Sequence, residues 1–222
     1  MAVEHGYGKI VTDGLVLCLD AADNNSYPGS GNTWYNLTKK GSNATFTGGA
    51  NHSTNNLGRI NFDNETSQAN SSLKYSLYSN FTISSMFYNQ GHIGDFGVVL
   101  ATRYGNNMIN GIRVVNSSIS FYSYQYGNMS IGSKLNDWVY VTATLSSTNY
   151  ANVYMDGELT NSGTFSKSNR NDTTIIGRSK DDQNGTYRSF IGKIANIKVY
   201  NKILTPEEVQ QNYNATKTRF GL

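Results

Sequence analysis

Only one cysteine, Cys18, occurs in the 222 residues, so no intramolecular disulfide holds the fold together. It sits inside the apolar run Leu15–Leu19 and reads as a small buried hydrophobe rather than a reactive thiol. No apolar stretch approaches the roughly twenty residues a spanning helix needs, which argues against a membrane partner. No run of five or six lysines and arginines occurs, and the formal charge is only +3 with both signs interspersed. Nucleic-acid binding needs a clustered basic face that displaces counterions, so that class is excluded as well. Met1 to Ile10 lacks the charged-then-apolar order of a secretory signal. Without such a signal the Asn-x-Ser/Thr triplets at Asn36, Asn43, Asn80 and Asn214 count as coincidence in a chain rich in Asn, Ser and Thr.

What is present points to strands and turns. Aromatics make up 12% of the chain with sixteen tyrosines, against 37% hydrophobic residues in all. Tyrosine buries a large ring and keeps a polar tip, so such a chain still builds a core. The 22 glycines and 15% charged residues fit short strands joined by many turns. Low net charge and abundant aromatics oppose disorder.

Along the chain, Gly14–Asp20 is a continuous apolar run suited to a strand buried on both faces. A turn-rich stretch with Pro28, Gly29 and Gly31 follows, and Trp34 is expected to anchor it. Residues 39–57 are weakly patterned, and Gly58–Phe62 is a short strand. From Phe81 the alternation is clear, with Phe81, Ile83, Ser85 and Phe87 on one side and Thr82, Ser84, Met86 and Tyr88 on the other. Phe96–Arg103, Gly111–Val115 and Ile119–Tyr126 read as further strands, the last with Tyr122, Tyr124 and Tyr126 in one stripe. Val139, Val141, Ala143 and Leu145 make an inward face, and Asp156-Gly157 marks the tight turn of the next hairpin. Thr173–Arg178 and Phe190–Tyr200 close the set. Thr205-Pro206-Glu207-Glu208 then supplies an N-cap, a proline at the first helical position and the glutamate of a capping box. Val209, Tyr213 and Phe220 form one stripe, fit to lie on the sandwich or on a partner, and the tail 219–222 shows no structure of its own.

Trp138–Ala143 followed by Val153-Tyr154-Met155-Asp156-Gly157 resembles the hairpin of concanavalin A-like, laminin-G-like domains. Ile175–Arg178, Phe190–Asn201 and the sequel Leu204–Glu208 are similar to that family's later motifs, in the family's order. The likeness is closest over residues 138–212 and looser over 10–137. It implies an all-β, two-sheet antiparallel jelly-roll sandwich over 1–222 with one short C-terminal helix at about 205–218. The segments from Gly14-Leu15-Val16 to Trp34-Tyr35-Asn36-Leu37, and Gln211–Ala215 with Arg219-Phe220-Gly221, look like the ends of laminin-G-like proteins of tailed-bacteriophage particles.

The glucanases of this fold carry Glu-x-Asp-x-Glu on one strand, which places nucleophile and acid together. None of Glu4, Glu65, Glu158, Glu207 and Glu208 stands in that pattern. His5, His52 and His92 show no metal-ligand spacing. Some relatives hold calcium near a "G-x-I-D-D" segment, where this chain has Ala195 and Asn196. Asp20, Asp23, Asp63 and Asp95 remain as oxygen ligands or as ordinary turn aspartates, and no cofactor is expected. The recognition candidates are Tyr122, Tyr124 and Tyr126, with Arg103 and Tyr104 on an adjoining loop, against the alternative that the tyrosines fill a core. The expectation drawn from all this is a non-enzymatic virion structural protein of a tailed phage. It would assemble in the host cytoplasm and contact other virion proteins, as a homo-oligomer. The alternative is a carbohydrate-binding, lectin-like module, with a glycoside hydrolase behind it.

Overall fold

The computed structural model describes residues 4–5, 8–75, 78–105, 107–168, 173–180 and 185–222. In chain order its strands are β1 (Glu4–His5), β2 (Gly8–Lys9), β3 (Leu15–Asp20), β4 (Thr33–Trp34), β5 (Ala44–Thr47), β6 (Asn51–Ser53), β7 (Arg59–Phe62), β8 (Gln68–Ser71) and β9 (Phe81–Ile93). They continue with β10 (Gly97–Tyr104), β11 (Asn107–Val115), β12 (Ser118–Ser123), β13 (Gly127–Ser133), β14 (Asp137–Leu145), β15 (Tyr150–Met155), β16 (Glu158–Thr164), β17 (Thr174–Lys180) and β18 (Tyr187–Tyr200). One helix, α1 (Pro206–Lys217), follows.

The first sheet runs β16-β15-β14-β9-β18, with β3 and β7 along the far edge of β18 and β6 outside β7. The second runs β13-β12-β11-β10-β17-β8-β5-β4. The end of β17, Arg178–Lys180, leaves the second sheet and pairs with Tyr187–Ser189 of β18, which joins the two layers. These ladders are antiparallel, as the alternating sequence requires.

Alternation decides what lies between the layers. Phe81, Ile83 and Phe87 of β9 and Val139, Val141, Ala143 and Leu145 of β14 enter one apolar cluster with Ile112, Val114, Ile119 and Phe121 of the second sheet. Trp34 is fully buried there and stacks on Phe46 at 5.7 Å, so the turn-rich segment is anchored as expected. The Asp156-Gly157 turn has φ of 52° and 88°, positive at both positions, which a tight hairpin demands.

The opposite side of the first sheet is roofed. Val209 of α1 packs with Leu15, Cys18, Tyr200 and Leu204, while Tyr213 and Phe220 join Met86, Trp138 and Tyr140. The helix stripe therefore meets the sandwich itself. The tail, expected to be unstructured, forms a short 3-10 turn over Thr218–Phe220. Phe220 lies 4.2 Å from the Trp138 ring, and the Arg219 guanidinium donates to both carboxylate oxygens of Asp20 at 3.0 and 3.1 Å. Cys18 is fully buried and burial pushes its thiol up to about 12, so it stays protonated and inert.

The weakly patterned stretch 39–57 holds β5 and β6, and β8 and β13 are two more strands without a sequence signal. The strand expected over Ile119–Tyr126 stops at Ser123. Gln125 takes φ 69° and the Tyr126 N–H donates to the Ser123 carbonyl at 3.1 Å, so Tyr124 to Tyr126 form the turn into β13. A chain reversal at a residue with positive φ ends alternation however regular the tyrosines look in sequence.

Candidate binding face

With α1 over the outer side of the first sheet, the outer side of the second sheet remains, buried at its centre, where Val98, Ala101 and Ile175 are at most 2% exposed, and exposed at its rim, where Tyr104 and Tyr126 lie. Register fixes which residues share it. Phe46, Ala69, Ile176, Leu100, Ile112, Phe121 and Met129 are directly opposed in turn and lie inward. One residue along, the outward row runs from Asn70 through Ile175, Ala101 and Gly111 to Tyr122 and Asn128. A neighbouring outward row carries Val98, Arg113, Ser120 and Ser130. Phe96, Val98, Ala101, Met108 and Ile175 form a small separate apolar cluster on this face, with Tyr122 packed against it. Gly111 allows the close packing at its centre, because a Cβ there would collide with the backbone of Leu100 and Ala101.

Above that cluster lies a ladder of rings and cations. The Arg113 guanidinium sits 4.1 Å from the Tyr122 ring centre and 5.1 Å from that of Phe96. Arg188 approaches the same Phe96 ring at 4.9 Å and pairs with Asp95 at 3.3 Å. Each cation over a ring contributes about 0.5–2 kcal/mol, more as water is excluded. Burial lowers the Arg113 pKa, with the like charge of Arg188 adding to the effect. Burial likewise raises the Tyr122 phenol, partly offset by Arg113, so its hydroxyl remains a donor at neutral pH.

The residues singled out from sequence fall into two groups. Tyr122 lies on this outer face, half-buried. Tyr124 and Tyr126, in the β12–β13 turn, stand at the same end of the sheet as Tyr104, because Asn110 pairs with Ser123 and Tyr104 with Asn107. Tyr126 and Tyr104 are 56% and 55% exposed. The three-tyrosine stripe is thus one face residue and two rim residues. Arg103 and Tyr104 are not loop residues but the end of β10, where the Arg103 Nε donates to Thr173 Oγ1 at 2.9 Å. Arg113, Phe96 and Arg188 were missed, since only the register of three strands brings them to Tyr122.

Another concavity, a cleft of about 710 Å³ between α1 and the β15–β16 hairpin, is lined by Tyr154, Glu158, Glu207, Gln210 and Asn214 among others. Its one aromatic, Tyr154, is 2% exposed and offers no ring face. The aspartates weighed as calcium ligands are dispersed. Asp20 holds Arg219, Asp23 accepts from the Asn25 N–H at 2.8 Å, Asp63 accepts from the Asn64 amide and Asp95 holds Arg188. Among the described residues no three His, Cys, Asp or Glu side chains converge.

No curated protein matches the sequence. Among solved structures, a mutant of Trypanosoma rangeli sialidase displaying trans-sialidase activity superposes with a TM-score of 0.72 and 15% identity over 96% of this chain and 34% of that one. Trypanosoma rangeli sialidase in complex with sialic acid gives 0.71 and 16% over 96% and 34%. The receptor-binding domain of botulinum neurotoxin C/D mosaic serotype gives 0.69 and 14% over 91% and 51%. The chain spans about a third of the length of the sialidases it matches.

These findings correct two expectations. The virion structural reading gives way, because the neighbours are sialidases and a toxin receptor-binding domain, which favours the carbohydrate-binding alternative. Its sequence cues are accounted for by the fold. Trp34 is core, Asn36 Oδ1 accepts the Cys18 N–H at 2.9 Å, and Arg219 pairs with Asp20. Such residues report how the sandwich closes rather than where it works. The expectation of a non-enzymatic protein also falls, since another of the neighbours is a sialidase held as a covalent intermediate. Lacking Glu-x-Asp-x-Glu removes one catalytic arrangement, not glycosidases as a class. A sequence profile described as the concanavalin A-like lectin/glucanases superfamily matches residues 62–210, more than half of the sequence. This chain belongs to the concanavalin A-like lectin/glucanase superfamily.

Proposed function

We propose that the protein is a carbohydrate-binding module that recognises glycans on the outer face and rim of its second sheet. The observation that carries this reading is the pair of tyrosines, Tyr104 and Tyr126, each more than half exposed at one end of the second sheet. A pyranose presents a face of C–H groups that packs on an aromatic ring, while its hydroxyls seek polar neighbours such as Asn128 and Ser130. The rigid ladder beneath keeps these groups in fixed register, which limits the entropy lost on binding. Membership of a superfamily of lectins and glucanases supports the assignment, as does the likeness to the receptor-binding domain of a botulinum neurotoxin.

A glycan array probed with the purified chain tests it, alongside a double variant Tyr104→Ala/Tyr126→Ala. The expected result is selective binding that falls several-fold in the variant while the melting temperature stays put, because both side chains are exposed. A variant that binds every positive glycan as tightly as the parent overturns the site, and a blank array overturns the function.

A further inference from the structure

A guanidinium taken half out of water ordinarily meets a carboxylate, since desolvating a cation without compensation is costly. The more deeply buried arginines follow that rule, with Arg219 on Asp20 and Arg188 on Asp95. Arg113 does not. Its Nε donates to Ser120 Oγ at 3.3 Å and its guanidinium carbon lies 4.1 and 5.1 Å from the centres of the Tyr122 and Phe96 rings. Among the described residues it has no acidic partner, and its terminal nitrogens have no protein acceptor. The charge of Arg188 raises the local cost further, because a second cation shares the Phe96 ring. Among the described residues the carboxylate nearest in this arrangement, Asp95, is taken by Arg188, which leaves Arg113 without an anion of its own.

We infer that Arg113, clamped on Tyr122 and Phe96, is the subsite for the carboxylate of an acidic saccharide. This deepens the carbohydrate-binding reading and rests on it. The stacked guanidinium is pre-oriented, so its paired N–H groups meet a planar carboxylate in a two-bond fork with little ordering still to be done. The Tyr122 hydroxyl, kept protonated by burial, adds a donor beside it. Uronates and sialates share this chemistry. A sulfate ester also carries charge, but its tetrahedral oxygens match the planar fork less well.

The test is calorimetric titration of the full chain with uronate-ended and sialate-ended oligosaccharides, their carboxyl-reduced analogues and sulfate esters. Arg113→Gln and Arg113→Lys are compared with the parent, the lysine variant keeping the charge and the apolar stem over the cluster. The acidic sugars, of whichever of the two sources, are expected to bind about tenfold or more tightly than their reduced forms, and to lose that margin in both variants. Neutral saccharides, titrated in parallel, are the reference against which that margin is read. Equal affinity for acid and reduced forms, full retention by Arg113→Lys, or a preference for sulfate esters overturns the carboxylate assignment and leaves the carbohydrate reading intact. Failure of every saccharide, charged or neutral, overturns both.

Discussion

Asp20 and Arg219 stand almost at opposite ends of the chain and meet at 3.0 Å with their side chains 3% and 5% exposed. Neither charge reaches water, so each depends on the other. Removing one leaves the second desolvated, at a cost of about 3–5 kcal/mol, whereas replacing both by apolar or neutral groups of similar shape is far cheaper. Arg219→Met is therefore expected to lower unfolding stability in urea by about that amount. Adding Asp20→Asn to it is expected to recover a large part. If the two single variants and the double lose stability additively, the pair does not act as a unit. The Arg219 guanidinium also donates to the Gly58 carbonyl at 3.1 Å, so part of the loss stays in the double variant. At the same scale, Arg113 shows how two arginines in one protein differ by whether an acid was provided.

Helix α1 begins with a full capping box. The Glu208 N–H donates to Thr205 Oγ1, and the Glu208 carboxylate accepts from the Thr205 N–H. Thr205→Ala is expected to cost about 1 kcal/mol, read as a lower urea midpoint at unchanged slope. This element was legible because every signal for it is local: cap, proline, glutamate and an apolar stripe within fifteen residues. The strands β9 and β14 were legible for the same reason, as alternation is visible inside each. β8 (Gln68–Ser71) and β13 (Gly127–Ser133) were not, since only Ala69 in one and Met129 and Ile131 in the other point inward, too few apolar residues among small polar ones to mark a strand. The tyrosines at 122, 124 and 126 misled because alternation in sequence does not reveal where the chain reverses. The candidate face was harder still. That Arg113 meets Phe96, Tyr122 and Arg188 depends on β10, β11, β12 and β18 at once, and long-range register is what one sequence does not display.

At the scale of the molecule, the tyrosines buried among the aliphatic side chains of the core also set a limit on alkalinity. Burial raises the phenols of Tyr75, Tyr122, Tyr154, Tyr200 and Tyr213 above their ordinary value, most strongly for Tyr75 and Tyr200 in the interior. The Tyr75 hydroxyl donates to the Asn110 carbonyl and that of Tyr200 to the Val11 carbonyl, so the folded state holds the protonated form. In the unfolded chain these phenols lose their protons near pH 10. Above that value the unfolded state binds fewer protons than the folded one, so stability falls as pH rises. Their contribution is complete below about pH 10 and is lost progressively beyond it, as pH climbs toward the raised folded values. Thermal midpoints measured from pH 7 upward are expected to hold steady on this account until about pH 10 and then to drop steeply. The phenolate absorbance of the buried set should appear together with loss of the β-sheet circular dichroism rather than before it. Ionisation of these tyrosines in a still-folded protein, or midpoints unchanged at pH 11, would show that the rings are more open to water than the packing of the two sheets allows.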